Sequence, residues 1–191
     1  KDTQMKTLFW GLGNGHTVHH DTEVGDFYGE DLESYETMVT WVRYEHFKRL
    51  IREGHDLLQG VVEEGHKIGL EVFPSFRMND FHDSREEGAL GPFKKKHPEF
   101  LLGDSVDVYE MGMPHKYSVR TCTNYAIPEV REFRLNLIRE TLDKYDVDGI
   151  EMDWSRAPWA FKPGEELQNI GIMNEFVRET RRLLDQKAEK A

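Results

Sequence analysis

The stretch "YDVDGIEMDWSR", residues 145–156, decides the fold, because it is a short β-prone run that ends in a polar corner and contains two carboxylates, Glu151 and Asp153, one residue apart. A strand alternates its side chains. That period places Ile150, Met152 and Trp154 on one face and Gly149, Glu151, Asp153 and Ser155 on the other. Parallel strands buried on both faces normally read as unbroken apolar runs, so two acids on one face cost desolvation unless they are paired or solvated. Glu151 and Asp153 are therefore the first candidates for chemistry.

Working outward, the preceding "IPEVREFRLNLIRETLDKY" reads as a helix. Pro128 suits its first turn, Glu129 and Glu132 its positive end, and Val130, Phe133, Leu137, Ile138 and Leu142 form one stripe. Downstream, "SRAPWAFKPG" leads into a last amphipathic helix marked by Ile172, Met173, Phe176, Val177, Leu183 and Leu184. Upstream, residues 41–68 show helical spacing, with Gly54 expected to divide two helices and Gly69 to end the second. "LEVFPSFRMND" then reads as a strand, and so does "MKTLFWGLG" near the start. Residues 82–127, rich in Gly and Pro, read as a long excursion with one small helix and a candidate fourth strand in "DVYEMG".

Alternating strands and helices predict an α/β fold of parallel βα units with right-handed crossovers, whose functional groups sit at the carboxyl ends of the strands. Three such ends are polar: Asn14 after the first strand, Arg77, Asn79 and Asp80 after the second, and Asp153 on the third. Arg77 is expected beside the acids, either as their electrostatic neighbour in a site or as a simple neutralising partner of Glu151 or Asp153.

Composition narrows the partner. The 191 residues hold 36 acidic against 25 basic side chains, a formal charge of -11, which argues against a nucleic-acid backbone or an anionic membrane surface. No apolar run approaches the roughly 18 to 20 residues of a membrane span, and "KDTQMKTLFW" has no signal-peptide character. The single cysteine, Cys122, excludes an intrachain disulfide and a cysteine-based metal site. The basic run Lys94-Lys95-Lys96 reads as a solvated helix end. "GLGNG" lacks the third glycine of a dinucleotide loop, which would fall at His16, so no cofactor is expected. His16, His19, His20 and Asp21 match no standard ligand spacing; with His82 and Asp83 they offer a metal site as one option, hydrogen bonding to a polar substrate as another and a solvated loop as a third. No metal is assigned. Of the tryptophans, Trp154 reads as structural and Trp159, near Phe161, as the best ligand-stacking platform, with Tyr28 and Tyr125 weaker.

Four pieces, "LEVFPSFRMNDFHD", "KKHPEFLLGD", "NYAIPEVREF" and "YDVDGIEMDWSR", in that order over roughly residues 68–157, resemble the glycosyl hydrolase-like family 10 proteins and neighbouring bacterial glycosidases. The resemblance implies a (β/α)8 barrel and a glycoside hydrolase acting on a poly- or oligosaccharide by carboxylate acid/base chemistry. Asp153 would be catalytic or substrate-contacting, Glu151 its deeper partner, and Arg77, Asn79, Asp80, His82, Asn14, Trp159 and Arg156 substrate-binding. A more distant likeness is to the family 18 chitinases: Asp148, Gly149 and Asp153 match their strand, but Ser155 stands where that family has its catalytic acid, so their mechanism is not implied. Two alternatives are a non-catalytic glycan-binding barrel fragment and a metal-dependent hydrolase on the same fold.

Glu151 and Asp153 start about 6.5 to 7 Å apart by strand rise, between the roughly 5 to 5.5 Å of retaining glycosidases and the low end of the inverting range. They are stacked along the strand instead of facing each other across a sugar, so a second acid is expected elsewhere. A full barrel takes about 250 residues and eight strands. The expectation is thus a single domain over 1–191 forming about half a barrel, completed by self-association into a homo-oligomer or by a C-terminal half outside these residues, with an open sheet as the other alternative.

Overall fold

The computed structural model describes residues 4–32, 34–35, 37–85, 90–103 and 119–190. Its centre is a three-stranded parallel sheet made of β1 (Thr7–Gly11), β5 (Glu71–Arg77) and β6 (Glu151–Asp153), in that spatial order. Three very short strands, β2 (Gly13–Asn14), β3 (Thr17–Val18) and β4 (Asp26–Phe27), form a second small sheet within the segment after β1, where the polar sequence had given no strand signal. The class is α/β with parallel βα units, as the sequence pattern requires. The "DVYEMG" stretch lies outside the described residues.

Helices α1 (Met38–Arg52) and α2 (Leu57–Lys67) connect β1 to β5. Thr37 caps α1 by accepting from the Thr40 N–H, and Asp56 caps α2 by accepting from Leu58 and Gln59, so both starts satisfy otherwise orphaned donors. Gly54 and Gly69 both sit at φ +80, the left-handed conformation that ends each helix. A short α3 (Gly91–Lys96) follows β5; α4 (Pro128–Lys144), opened by its proline, precedes β6, and α5 (Ile170–Lys190) follows it and packs on α4.

One face of the sheet makes the main core. Val72, Phe76 and Met78 are fully buried there with Leu58 and Val62 of α2 and Val130, Leu137, Ile138 and Leu142 of α4, and Ile150, Met152 and Trp154 pack against them. The face predicted for those three residues is the observed one. A second cluster of Phe81, Leu102, Val119, Cys122 and Ala157, with Trp159 against it, lies under the loops at the carboxyl ends of the strands.

Asp148 ties the base of the sheet. Its Oδ2 accepts from the Val72 N–H at 2.7 Å and contacts His66 Nε2 at 2.9 Å. The next residue must be glycine because a Cβ on Gly149 would come within 2.3 Å of the Phe73 ring. The Asp-Gly pair is thus a structural staple that fixes the entry of β6. Among the described residues no helix is long and apolar enough to cross a membrane.

Candidate functional site

The parallel register sets the site. Ser75 pairs with Glu151 and Arg77 with Asp153, so on the sheet face opposite the core the acids of β6 stand level with the polar residues of β5. Glu151 and Asp153 are both partly exposed. Asp153 Oδ1 accepts from the Ser155 N–H at 2.9 Å and the Ser155 hydroxyl at 2.6 Å, the tight polar corner visible in "DWS". Partial burial pushes the Asp153 carboxyl up, but the two Ser155 donors, the Arg156 N–H and the Arg77 charge outweigh it and hold the group below its ordinary value. At neutral pH Asp153 is a carboxylate, suited to nucleophile or base and not to acid.

Arg77 does not neutralise either acid of β6 by direct pairing. Its Nη1 donates to Asn14 Oδ1 at 2.9 Å and Asp80 Oδ2 at 2.8 Å, so the polar ends of β2 and β5 do meet, and Arg77 acts on Asp153 only through its field. Asp80 is itself buried, and its other oxygen accepts from the His82 N–H at 2.7 Å and lies 2.9 Å from His82 Nδ1. Burial pushes the Asp80 carboxyl up, yet the His82 N–H, the Arg77 hydrogen bond and the charges of both neighbours bring it below its ordinary value. Arg156, from the corner after β6, donates from Nη2 to His82 Nε2. Because an arginine can only donate and an ionised carboxylate can only accept, these partners dictate the Nδ1–H tautomer of His82.

Two sequence expectations take a different form. Asn79, proposed as substrate-binding, is fully buried and its amide is spent: Nδ2 donates to the carbonyls of Thr123 and Trp159 at 2.9 and 2.7 Å, and Oδ1 accepts from the Thr123 N–H at 2.9 Å. It joins three loops and leaves nothing for a ligand. Asp80, for the same reason of burial, reaches a ligand only through Arg77 and His82. Tyr125 is also a core residue, with its hydroxyl donating to the Met78 carbonyl and its ring edge-on to Trp154 at 5.0 Å.

Trp159 is half-buried, edge-on to Phe81 at 5.9 Å. With Trp154, Phe161, Met173, Glu166 and Asn174 it lines an open cleft of about 480 Å³ between the loop after β6 and the start of α5. The lining combines an aromatic wall with the polar side chains of Glu166 and Asn174.

The histidines after β1 do not converge. His16 is buried, stacked on Phe93 at 4.7 Å; His19 packs on Phe47 at 4.6 Å; His20 is buried edge-on to Tyr145 at 5.7 Å. Burial first, then the Arg134 and Lys94 charges, pushes His16 well down. Burial, with Arg43 next, lowers His19 to about 4, and burial lowers His20 to about 4 against the pull of Asp56 and Glu140. These are neutral aromatic core residues and not a ligand set. Among the described residues no group of three or more His, Cys, Asp or Glu side chains is arranged to hold a metal ion.

The basic run also departs from the solvated reading. Lys94 is buried, with Nζ donating to Asp83 Oδ2 at 2.6 Å and the Asp80 carbonyl at 3.2 Å, and Thr121 Oγ1 donates to Asp83 Oδ1 at 2.6 Å. Local sequence missed both this pair and the chain Asp80, His82, Arg156. The Asp-x-His spacing of residues 80–82 was its only signal.

The parallel strands and the helices between them define the class: an α/β protein of parallel βα units, with a held carboxylate and a polar network at the carboxyl ends of its strands. The chain belongs to the Glycosyl hydrolase-like 10 family, whose model matches residues 28–181. No curated protein matches the sequence. Among solved structures, α-L-fucosidase isoenzyme 2 from Paenibacillus thiaminolyticus is similar at 16% identity and a TM-score of 0.41, covering 96% of this chain and 29% of that one. A noncanonic maltogenic α-amylase from Thermotoga neapolitana is similar at 22% identity and a TM-score of 0.36, covering 76% of this chain and 30% of that one. The chain thus spans less than a third of either protein.

Proposed function

We propose that this chain carries part of a glycoside hydrolase site, on a segment of a (β/α)8 barrel, with Asp153 as the reacting carboxylate and Glu151 as a deeper neighbour that tunes its charge. The observation that carries the reading is the setting of Asp153: the last residue of a parallel strand, partly exposed, level with Arg77, and held ionised by Ser155 and Arg156. Family membership supports a carbohydrate as substrate. The cleft at Trp159 offers an aromatic platform beside the same corner, and Arg156 and Asn14 are the further polar groups a sugar would meet.

The test is Asp153→Asn, which keeps an acceptor for Ser155 and removes the charge. Hydrolysis across a panel of oligosaccharides and aryl glycosides should fall by about 10²- to 10⁴-fold, the range for loss of a positioned acid/base group. Turnover retained at the wild-type rate would sink the assignment.

A further inference from the structure

A glycosidase needs a proton donor for the leaving oxygen as well as a carboxylate. Asp153, held ionised, does not supply it, and Glu151 is stacked beneath Asp153 on the same strand face. The adjacent strand end holds a group with the right construction. His82 Nδ1 is fixed by the buried Asp80 carboxylate at 2.9 Å, Asp80 is fixed in turn by Arg77 at 2.8 Å, and the Phe81 ring stacks on the imidazole at 5.2 Å. A ring held at one nitrogen by an oriented carboxylate presents the other as an acid or base. That other nitrogen, Nε2, meets Arg156, whose backbone N–H bonds Asp153. One arginine therefore spans the distance between the histidine and the reacting carboxylate.

We infer that His82, positioned by Asp80, is the proton-transfer partner of Asp153, and that Arg156 occupies its Nε2 until a sugar takes that place. The inference deepens the hydrolase reading and rests on it. When the glycosidic oxygen displaces the guanidinium, a cation leaves Nε2 while Asp80 still acts on Nδ1–H, so Nε2 takes a proton from solvent. That proton passes to the leaving oxygen as its bond to the anomeric carbon breaks and an Asp153 oxygen bonds to that carbon. Water then gives a proton to the neutral Nε2 and attacks the anomeric carbon, and Asp153 departs as the carboxylate. Among the described residues, charged groups facing the ring include Asp80 and Arg77 from the end of β5 and Arg156 from the corner after β6, with the buried Lys94 and Asp83 pair behind the Asp80 carbonyl.

The experiment compares phenyl and 2,4-dinitrophenyl glycosides of the same sugar, because only the poorer leaving group needs a strong acid. His82→Ala should lower kcat/KM for the phenyl substrate by about 10²- to 10⁴-fold, lower it at least about tenfold less for the dinitrophenyl substrate, and remove the alkaline limb of the pH profile. Asp153→Asn should lower both activities to the same extent, by about 10²- to 10⁴-fold. Equal losses on the two substrates in His82→Ala, or an alkaline limb that survives, would overturn the role of His82 while leaving Asp153 in place. Wild-type rates in Asp153→Asn, or no wild-type turnover at all, would instead remove the hydrolase reading and this inference with it. Nitrogen-15 spectra of the imidazole give a readout without substrate: the wild type should show Nδ1 protonated and Nε2 bare, and Asp80→Asn should lose that preference. An Nε2–H tautomer in the wild type would overturn the dyad.

Discussion

Two segments leave carboxyl ends of the parallel strands carrying histidine next to acid, and the structure uses them in opposite ways. After β1, His16, His19 and His20 lie among Phe93, Phe47 and Tyr145, neutral and short of partners; Nε2 of His16 and of His19 and both ring nitrogens of His20 are buried without a hydrogen bond. After β5, His82 is partly exposed and held at both nitrogens, by Asp80 and by Arg156. The lesson is that proximity of histidine and carboxylate in sequence carries little information. What separates the two segments is whether a buried carboxylate holds one nitrogen of a partly exposed ring.

The strongest way to break the contrast is to remove the support under the second segment. Lys94→Met leaves the Asp83 carboxylate buried with, among the described residues, only Thr121 to hold it, in a place where burial already pushes that carboxyl up with Lys94 present. Loss of one partner of a buried pair costs about 3–5 kcal/mol, and the Asp80 carbonyl is left at the same time with the weaker Cys122 thiol donor at 3.7 Å. Urea unfolding should show that loss, and Lys94→Met with Asp83→Asn should recover part of it, because no unpaired charge then remains. A Lys94→Met chain as stable as the wild type would mean that the turn bearing His82 stands without this pair.

Much of the architecture was legible because it rests on local signals. The periodic stripe of α4, Pro128 at its start, and Gly54 and Gly69 after α1 and α2 each announce themselves over a few residues. So did the alternation of β6, which put Met152 and Trp154 toward the core and Asp153 away from it. The polar residues at the strand ends were legible as candidates, and their wiring was not. That Arg77 would pair with Asp80 instead of Asp153 depends on the turn after Met78, and that Arg156 would reach His82 depends on residues 74 positions apart being brought to one rim. Lys94 was misjudged for a related reason: a run of three lysines looks like solvent, and only the tertiary position of Asp83 makes one of them internal. Asn79 was misjudged because burial, which decides whether an amide is free for a ligand, is not a property of its neighbours in sequence.

The next effect is a pH dependence of stability set by the first segment. His19 and His20 are lowered to about 4 by burial, so the unfolded chain binds more protons than the folded one between there and the ordinary histidine value. Their contribution is complete above about pH 6.5 and is lost as the pH falls toward 4. Asp26 opposes them in part, since burial raises its carboxyl to about 6 and its protonation favours the folded state over the same range. Two histidines against one carboxylate leave a net loss of about 2 kcal/mol on going from pH 7 to pH 5, and His16, pushed well down by burial, adds to the loss. Thermal unfolding across that range should show the midpoint falling with pH; a flat or rising midpoint would mean that the rings are not held neutral.

The smallest effect is the most specific. His20→Phe replaces a buried ring with two unpartnered nitrogens by one with none, in contact with the same Tyr145 edge. Removing a buried polar group that makes no hydrogen bond is near neutral when the shape is kept, so stability at pH 7 should change by less than about 1 kcal/mol. The variant should also lose the part of the acid sensitivity that belongs to His20, making the unfolding midpoint less steep between pH 7 and 5. Both results follow from the ring serving as an aromatic core residue. If it served as a ligand for a metal or a sugar, the same substitution would abolish binding and leave the pH slope to other groups, so a variant that folds with an unchanged slope would move His20 to the other side of the comparison.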